Sequence, residues 1–293
     1  MAEQIAVEIR PLAAADVEQA WEMSHTSLQT AGLEYGWHMP DADALLRSRG
    51  HQRIRHLMTQ DPEGTWVAEL DGEIVGVAAA TRRGPLWFLS LLTVATSVQS
   101  RGVGRQLLEA SMRTLGPAGA ICASDDPKAL RRYRVAGFEL QPRYEAKGPV
   151  ERAAIPAVDG VRPGSYDNDR DFVDDIATGL RNAPHGVDLD FFAATDRPLY
   201  VMDTSAGRGY VACTEKGVAV LGATTTAAAR SLLWTALAEC TDDDVSILWL
   251  RHDQSWAIDV ALEARLSLRP TGSFCTRGAV GPMSPYIPNG AFG

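Results

Sequence analysis

Two short stretches of this 293-residue chain combine residue types that can do chemistry together. The first is Gln99-Ser-Arg-Gly102-Val-Gly104-Arg105, which follows an apolar run and leads into Leu107-Leu108 at helical spacing. A strand that turns through glycines into a helix leaves several main-chain N–H groups unpaired and aimed one way, at the positive end of the helix dipole. Gly102 and Gly104 lack a Cβ, so an anion can approach the backbone closely and φ can be positive. Arg101 and Arg105 add charge at the rim. Such a segment suits a diphosphate, although a tight strand–helix turn asks for the same residues. It is neither of two common nucleotide loops, because it has no Lys-Ser/Thr pair and no third glycine. The second stretch is Asp126 to Phe138, where Tyr133 lies inside a run of helical spacing.

Bulk composition bounds what these stretches can serve. Hydrophobic content of 45% and charged content of 22% are those of an ordinary globular protein, and the length suggests about two domains. The formal charge of −9 argues against nucleic acid as a partner and mildly favours a cationic or amine substrate. Cys122, Cys213, Cys240 and Cys275 are far apart with no C-x-x-C spacing, so the expectation is free thiols, a cytoplasmic setting and no metal. The opening MAEQIAVEIRPL reads as no leader, and no stretch approaches a membrane span.

The elements that must position the two stretches are legible in outline. Glu8–Pro11 reads as a short strand, and Asp16 as the cap of a helix through Trp21 to Leu28. The segment from Leu33 to Gln60 reads as helical and substrate-facing. WVAEL and IVGVAAA flank Asp71-Gly72, a hairpin signal. Leu86-WFLSLLTV is apolar throughout, hence a central strand buried on both faces. Gly119-AICAS is a further strand, Lys128 to Val135 a helix, and Gly137-Phe138 begins a last strand ending near Tyr144. Residues 149–160 read as a linker between a domain over 1–148 and another over 161–293. The second domain echoes the first: Val161-Arg162-Pro163 repeats Ile9-Arg10-Pro11, and a hairpin, a strand and a helix follow in the same order. The Pro/Gly-rich tail from Arg277, with Tyr286, Ile287 and Phe292 as anchors, reads as packing back on the body; the Gly293 carboxylate is a candidate base should the tail reach the site.

The two motifs in this order resemble the GNAT superfamily of acyl-CoA-dependent N-acyltransferases. Gln99-Ser-Arg-Gly102-Val-Gly104 fits Q/R-x-x-G-x-G/A. Leu92 to Gln99 fits the L-x-V-x-P-x-x-R lead-in with Thr96 in place of Pro. Asp126 to Phe138 fits N-x-x-A-x-x-x-Y-x-x-x-G-F with Asp126 in place of Asn. The resemblance covers roughly residues 5 to 146. It implies an α/β (α+β) fold of two tandem GNAT-like domains, each a mixed, mainly antiparallel sheet flanked by helices. It further implies acetyl-CoA as co-substrate, held by Leu92, Val94, Gln99, Ser100, Arg101, Gly102, Val103, Gly104, Arg105 and Asp126. Tyr133 then protonates the leaving thiolate as general acid, and an N–H near Val94 or Ala95 polarises the thioester. Where many relatives carry a glutamate base this chain has Phe88, which leaves Glu34, His25, His38, Ser90, water, or an already neutral amine.

Aligning Ala129 with Ala257 puts Ala261 at the position of Tyr133 and Arg265 at that of Gly137. The loop Leu221-GATTTAAARSLL has no G-x-G. The second domain therefore reads as a degenerate repeat that binds no CoA. The expected function is acetyl transfer from acetyl-CoA to a primary amine, small-molecule or peptide, by a monomer or homodimer. The alternative is a catalytically idle acyl-CoA sensor or partner-binding protein.

Overall fold

The computed structural model describes residues 6–242 and 244–293; the first residues of the stretch read as leaderless lie outside it. The first half runs β1 (Glu8–Pro11), α1 (Val17–Tyr35), α2 (Ala44–Gln60), β2 (Thr65–Leu70), β3 (Glu73–Arg83), β4 (Leu86–Val94), α3 (Val103–Ser111), β5 (Ala118–Ala123), α4 (Pro127–Val135) and β6 (Glu139–Pro149). The second half runs β7 (Val161–Pro163), α5 (Arg170–Arg181), α6 (Asp188–Ala194), β8 (Leu199–Thr204), β9 (Gly207–Thr214), β10 (Gly217–Ala223), α7 (Thr226–Glu239), β11 (Asp244–Arg251), α8 (Ser255–Glu263), β12 (Ser267–Arg277) and β13 (Tyr286–Ile287).

Local chemistry accounts for most of these elements. Asp71 and Gly72 both take positive φ, 52° and 82°, which matches the twist of a two-residue hairpin. β4 is apolar on both faces because helices cover both. One correction concerns Asp16, which does not cap α1 with its side chain. It accepts from the Ala13 N–H and pairs with Arg10 at 2.6 Å, tying the edge strand to the helix start. Asp169 and Arg162 repeat this clamp in the second half, also at 2.6 Å.

All strands join one mixed, mainly antiparallel sheet flanked by helices, in the order β1-β2-β3-β4-β5-β12-β6-β11-β10-β9-β8-β7, with β13 on β10. Only β4–β5 and β10–β11 are parallel. The arrangement has a reciprocal feature that the sequence did not predict. β12, the last long strand of the second half, lies between β5 and β6 of the first, and β6 in turn pairs with β11. β6 also continues past Tyr144 to Pro149, so Pro149, at the expected start of the linker, is a strand residue paired with Asp244 of β11.

The two halves also share a core. Trp21, Leu57 and Phe88 of the first half belong to the same buried cluster as Phe192, Tyr210 and Phe292 of the second. Polar groups are buried at this junction. Arg83 at the end of β3 donates from both Nε and Nη2 to Asp188 of α6, which is fully buried, and from Nη1 to Asp61 at 2.9 Å. His56 approaches the same carboxylate at 3.1 Å.

Nearby, Arg181 meets His185 Nδ1 at 3.0 Å, and His185 Nε2 lies 2.7 Å from the Tyr210 hydroxyl. Arginine can only donate, so Nδ1 accepts and Nε2 carries the proton. Burial, with Arg181 and Arg83 adding repulsion, holds the imidazole pKa well below its ordinary value. The folded state therefore refuses a proton that the unfolded chain takes up below about pH 6.5. This contribution to stability is full above that pH and lost as pH falls. The urea midpoint should drop between pH 7 and 5, and His185→Gln should flatten that drop.

Candidate functional site

The site is built where β4 and β5 part. Their parallel register runs from Leu86↔Ala118 to Leu89↔Ile121 and stops there. A register shift on the β3 side of Ser90 marks the same point. Beyond it the β5-facing edge of β4 has no strand partner. The Ala95 N–H is taken by Val75 O at 2.9 Å on the β3 side. Because successive strand residues alternate, the Val94 N–H faces the open edge. Of the two amides expected to polarise a thioester, Ala95 is thus spent and Val94 is free to act.

The open edge leads into the glycine turn. Ser100 and Gly102 have φ of 63° and 88°, and Gly102 begins α3 without any side-chain cap. The first amides of a helix have no partner within it, so those at Gly102 to Gly104 point at the cleft. A Cβ on Gly104 would stand 3.3 Å from Val94 Cγ2, which shows how narrow the passage is. The cleft is lined by Leu92, Val94, Gln99, Ser100, Gly102, Gly104, Asp126, Lys128, Ala129 and Arg132. The Gln99 amide bridges it, donating to Val94 O at 3.1 Å and accepting from Lys128 Nζ at 3.0 Å.

The remaining residues singled out from sequence take other positions. Val103 is buried under the turn. Arg101 is exposed, and Arg105 sits at the rim opposite Glu109 at 3.7 Å. Asp126 lines the cleft as the cap of α4, accepting from the Lys128 N–H at 2.7 Å. Between α3 and α4 the cleft continues into a cavity of about 500 Å³ with Arg105, Lys128, Arg131 and Arg132 in its walls. The cations on α4 were missed in the sequence reading. Their spacing on one short helix, four residues from Lys128 to Arg132, was the available signal.

On the other side of Leu92 the splay opens into a second cavity of about 450 Å³. Tyr133 reaches it from α4, packed among Trp87, Leu89, Ile121 and Phe138. Burial pushes its phenol well above the ordinary value. Cys122 lines the same cavity, and burial moves its thiol in the same direction. His38 and Ser90 line it too, whereas Glu34 is exposed near the end of α1 and His25 is buried in stacking contact with Trp21, ring centroids 4.8 Å apart.

Phe88 faces the opposite side of the sheet from Trp87 and Leu89, and the tail covers it. A Cβ on Gly293 would lie 2.8 Å from its ring. The Gly293 main-chain oxygen accepts from Tyr286 Oη at 2.8 Å and Arg181 Nη1 at 3.0 Å, on the face away from Tyr133. Gly290 of the same tail lines the cavity, while Gly293 is not among its lining residues.

The second half offers a contrast. α8 ends like α4, and Arg265 takes φ of 65° where Gly137 takes 89°, but its start at Gln254 lacks the side-chain cap that Asp126 gives α4. The counterpart of the glycine turn, however, is closed. The Thr225 hydroxyl accepts from the Ala228 N–H at 3.1 Å and fills the helix start. β10 and β11 also part after Gly217↔Ser246, and there the tail pairs with the free edge as β13, with Leu221↔Ile287 and Gly222↔Tyr286.

Among the described residues no helix is long and apolar enough to cross a membrane, and no group of three or more His, Cys, Asp or Glu is placed to hold a metal ion.

Residues 26–138 match the family model described as Acetyltransferase (GNAT) family. No curated protein sequence matches the chain. A Pyrococcus horikoshii structure with an inferred acetyltransferase activity is similar over 100% of this chain and 99% of its own, with a TM-score of 0.76 at 18% identity. A tandem GNAT protein from the clavulanic acid biosynthesis pathway aligns over 92% of this chain and 98% of its own, with a TM-score of 0.57 at 15% identity. A GCN5-related N-acetyltransferase from Sphaerobacter thermophilus aligns over 92% and 95%, with a TM-score of 0.59 at 14% identity. Residues 26–138 therefore match an acetyltransferase domain of the GNAT family, and the chain as a whole shares its fold with tandem GNAT proteins.

Proposed function

We propose that the chain is an N-acetyltransferase that moves an acetyl group from acetyl-CoA to a primary amine. One observation carries the reading: the unpaired edge of β4 beyond Leu89 runs directly onto the uncapped start of α3. An extended pantetheine arm can pair with the main chain of Leu92 and Val94 as a strand would, and a pyrophosphate can receive the amides from Ser100 to Gly104, those of Gln99 and Arg105 being taken by Thr96 O and Gly102 O. The basic cavity between α3 and α4 suits the nucleotide end, with Lys128, Arg131 and Arg132 supplying local positive charge in an acidic protein.

The thioester then lies beside Ser90 and Tyr133. The neutral amine attacks the carbonyl carbon, the oxyanion accepts from the Val94 N–H, and the C–S bond breaks as Tyr133 passes its proton to the sulfur; the proton that the attacking nitrogen sheds passes through water to restore the Tyr133 phenol. Burial raises the affinity of phenol and thiolate for a proton alike, so neither gains over the other in this apolar pocket. With Phe88 in place of a carboxylate, the amine enters already neutral. The second half binds no CoA in this reading: Thr225 fills its helix start and the tail occupies the edge of β10.

The test is thiol release from acetyl-CoA across a panel of amines by the wild type and Gly104→Val. The valine side chain projects into the cleft from a helical position, with its Cβ against Val94, so KM for acetyl-CoA should rise more than about tenfold while circular dichroism shows the variant folded at the assay temperature. No thiol release with any amine would leave an acyl-CoA binder, and an unchanged KM in the variant would remove the turn from the site.

A further inference from the structure

The cavity beside Tyr133 contains polar groups that acyl transfer leaves unused. Three buried atoms in its walls have no hydrogen-bond partner among the described residues: Arg53 Nε, Trp37 Nε1 and Ser90 Oγ. The first two can only donate, and a hydroxyl can do so. Buried donors left open are costly, and a ligand with acceptor oxygens would recover that cost.

Charge points the same way. Arg53 on α2 has no carboxylate in ion-pair contact among the described residues, and burial alone lowers its pKa. Arg143 on β6 is nearly as isolated: it donates to Ala123 O and stacks 4.0 Å over Trp249. The one carboxylate in the wall, Glu145, is held by Arg269 at 2.7 Å and Lys147 at 3.2 Å.

The backbone is shaped around this wall. β11 has extra residues, Leu248 and Trp249, between its pairings with Ala146 and Tyr144, and β12 has Thr271 and Gly272 between its pairings with Tyr144 and Pro142. Trp249 adopts φ of 63°, an uncommon conformation for a bulky residue. Bulges of this kind re-aim side chains beside sites. Leu248, Trp249 and Thr271 all line the cavity, so the second half builds one wall of it.

We propose that this cavity takes a substrate carboxylate, with Arg53 as the anchoring residue, assisted by Trp37 Nε1 and the field of Arg143. This rests on the acyl-transfer reading and adds an anionic group to the cationic or amine substrate that net charge mildly favours. The carboxylate belongs either to the amine, as in an amino acid, or to a dicarboxylic acyl group on CoA.

The experiment measures thiol release from acetyl-CoA and from succinyl-CoA, using amino acids paired with their C-terminal amides. An advantage of about tenfold or more in kcat/KM for the acids assigns the carboxylate to the amine; the same advantage for succinyl-CoA assigns it to the acyl group. Arg53→Gln should bring either ratio to within about twofold while CoA still raises Tm, and Arg53→Lys, which keeps charge without the fork, should retain part of it. Equal turnover in both comparisons, or a ratio that survives Arg53→Gln, overturns the proposal. If neither donor releases thiol and CoA gives no thermal shift, the acyl-transfer reading fails instead. Malonate against malonamide then tests the cavity by itself: a Tm rise with malonate that Arg53→Gln abolishes supports the anchor, and equal shifts overturn it.

Discussion

Tyr133→Phe should lower kcat for acetyl transfer by about 10²- to 10⁴-fold, the usual range for losing a general acid. Phenylalanine keeps the packing against Trp87, Ile121 and Phe138, so the fold and the affinity for CoA should stay near wild type. The pH profile separates this from a structural defect. The acid acts only while protonated, and burial places its titration above the ordinary tyrosine value. Wild-type activity should therefore rise with pH as the amine loses its proton and show no descending limb below pH 10. A descending limb near pH 8, or a phenylalanine variant within threefold of wild type, would exclude Tyr133 as the acid.

The largest effect on stability is expected for Asp188→Ala. Asp188 is wholly buried and receives two donors from Arg83, whose own side chain is 8% exposed. Removing one partner of a buried pair leaves the other charge desolvated, at about 3–5 kcal/mol. Asp61 still holds Arg83 at 2.9 Å, so the loss should fall near 3 kcal/mol. Urea denaturation reads this as a lower midpoint. Because the pair joins β3 to α6, two transitions by separate probes would reveal the halves loosening from each other. A midpoint within 1 kcal/mol of wild type would mean that water or His56 compensates Arg83.

The sequence made legible what depends on neighbours along the chain. The Asp71-Gly72 hairpin, the apolar β4, the glycine turn and the helix carrying Tyr133 each follow from spacing within a dozen residues. The Arg10–Asp16 and Arg162–Asp169 clamps underlie the echo of Ile-Arg-Pro in Val-Arg-Pro. What could not be read depends on partners far along the chain. Arg53 and Arg143 look like surface arginines until α2, β6 and the β11 bulge enclose them. Trp249 carries no local sign of the φ it adopts. Asp16 had the residue type of a helix cap, but a nearby arginine claimed its carboxylate, a competition that propensity does not register.

The interleaving of β6 and β12 has a consequence for how the chain reaches this state. Ala123 pairs with Ser273, and no shorter segment can supply that contact. During synthesis β5 must wait with a vacant edge until residues 273–277 of β12 have been made. Closing so long a loop adds only slowly to the entropy cost, but contacts of such wide separation make folding slow. The nascent first half is consequently an open template for pairing with other chains, and the aggregation risk lasts until β12 emerges. Once β12 enters, both halves gain their missing neighbour in the same event, so the molecule closes as a single cooperative unit.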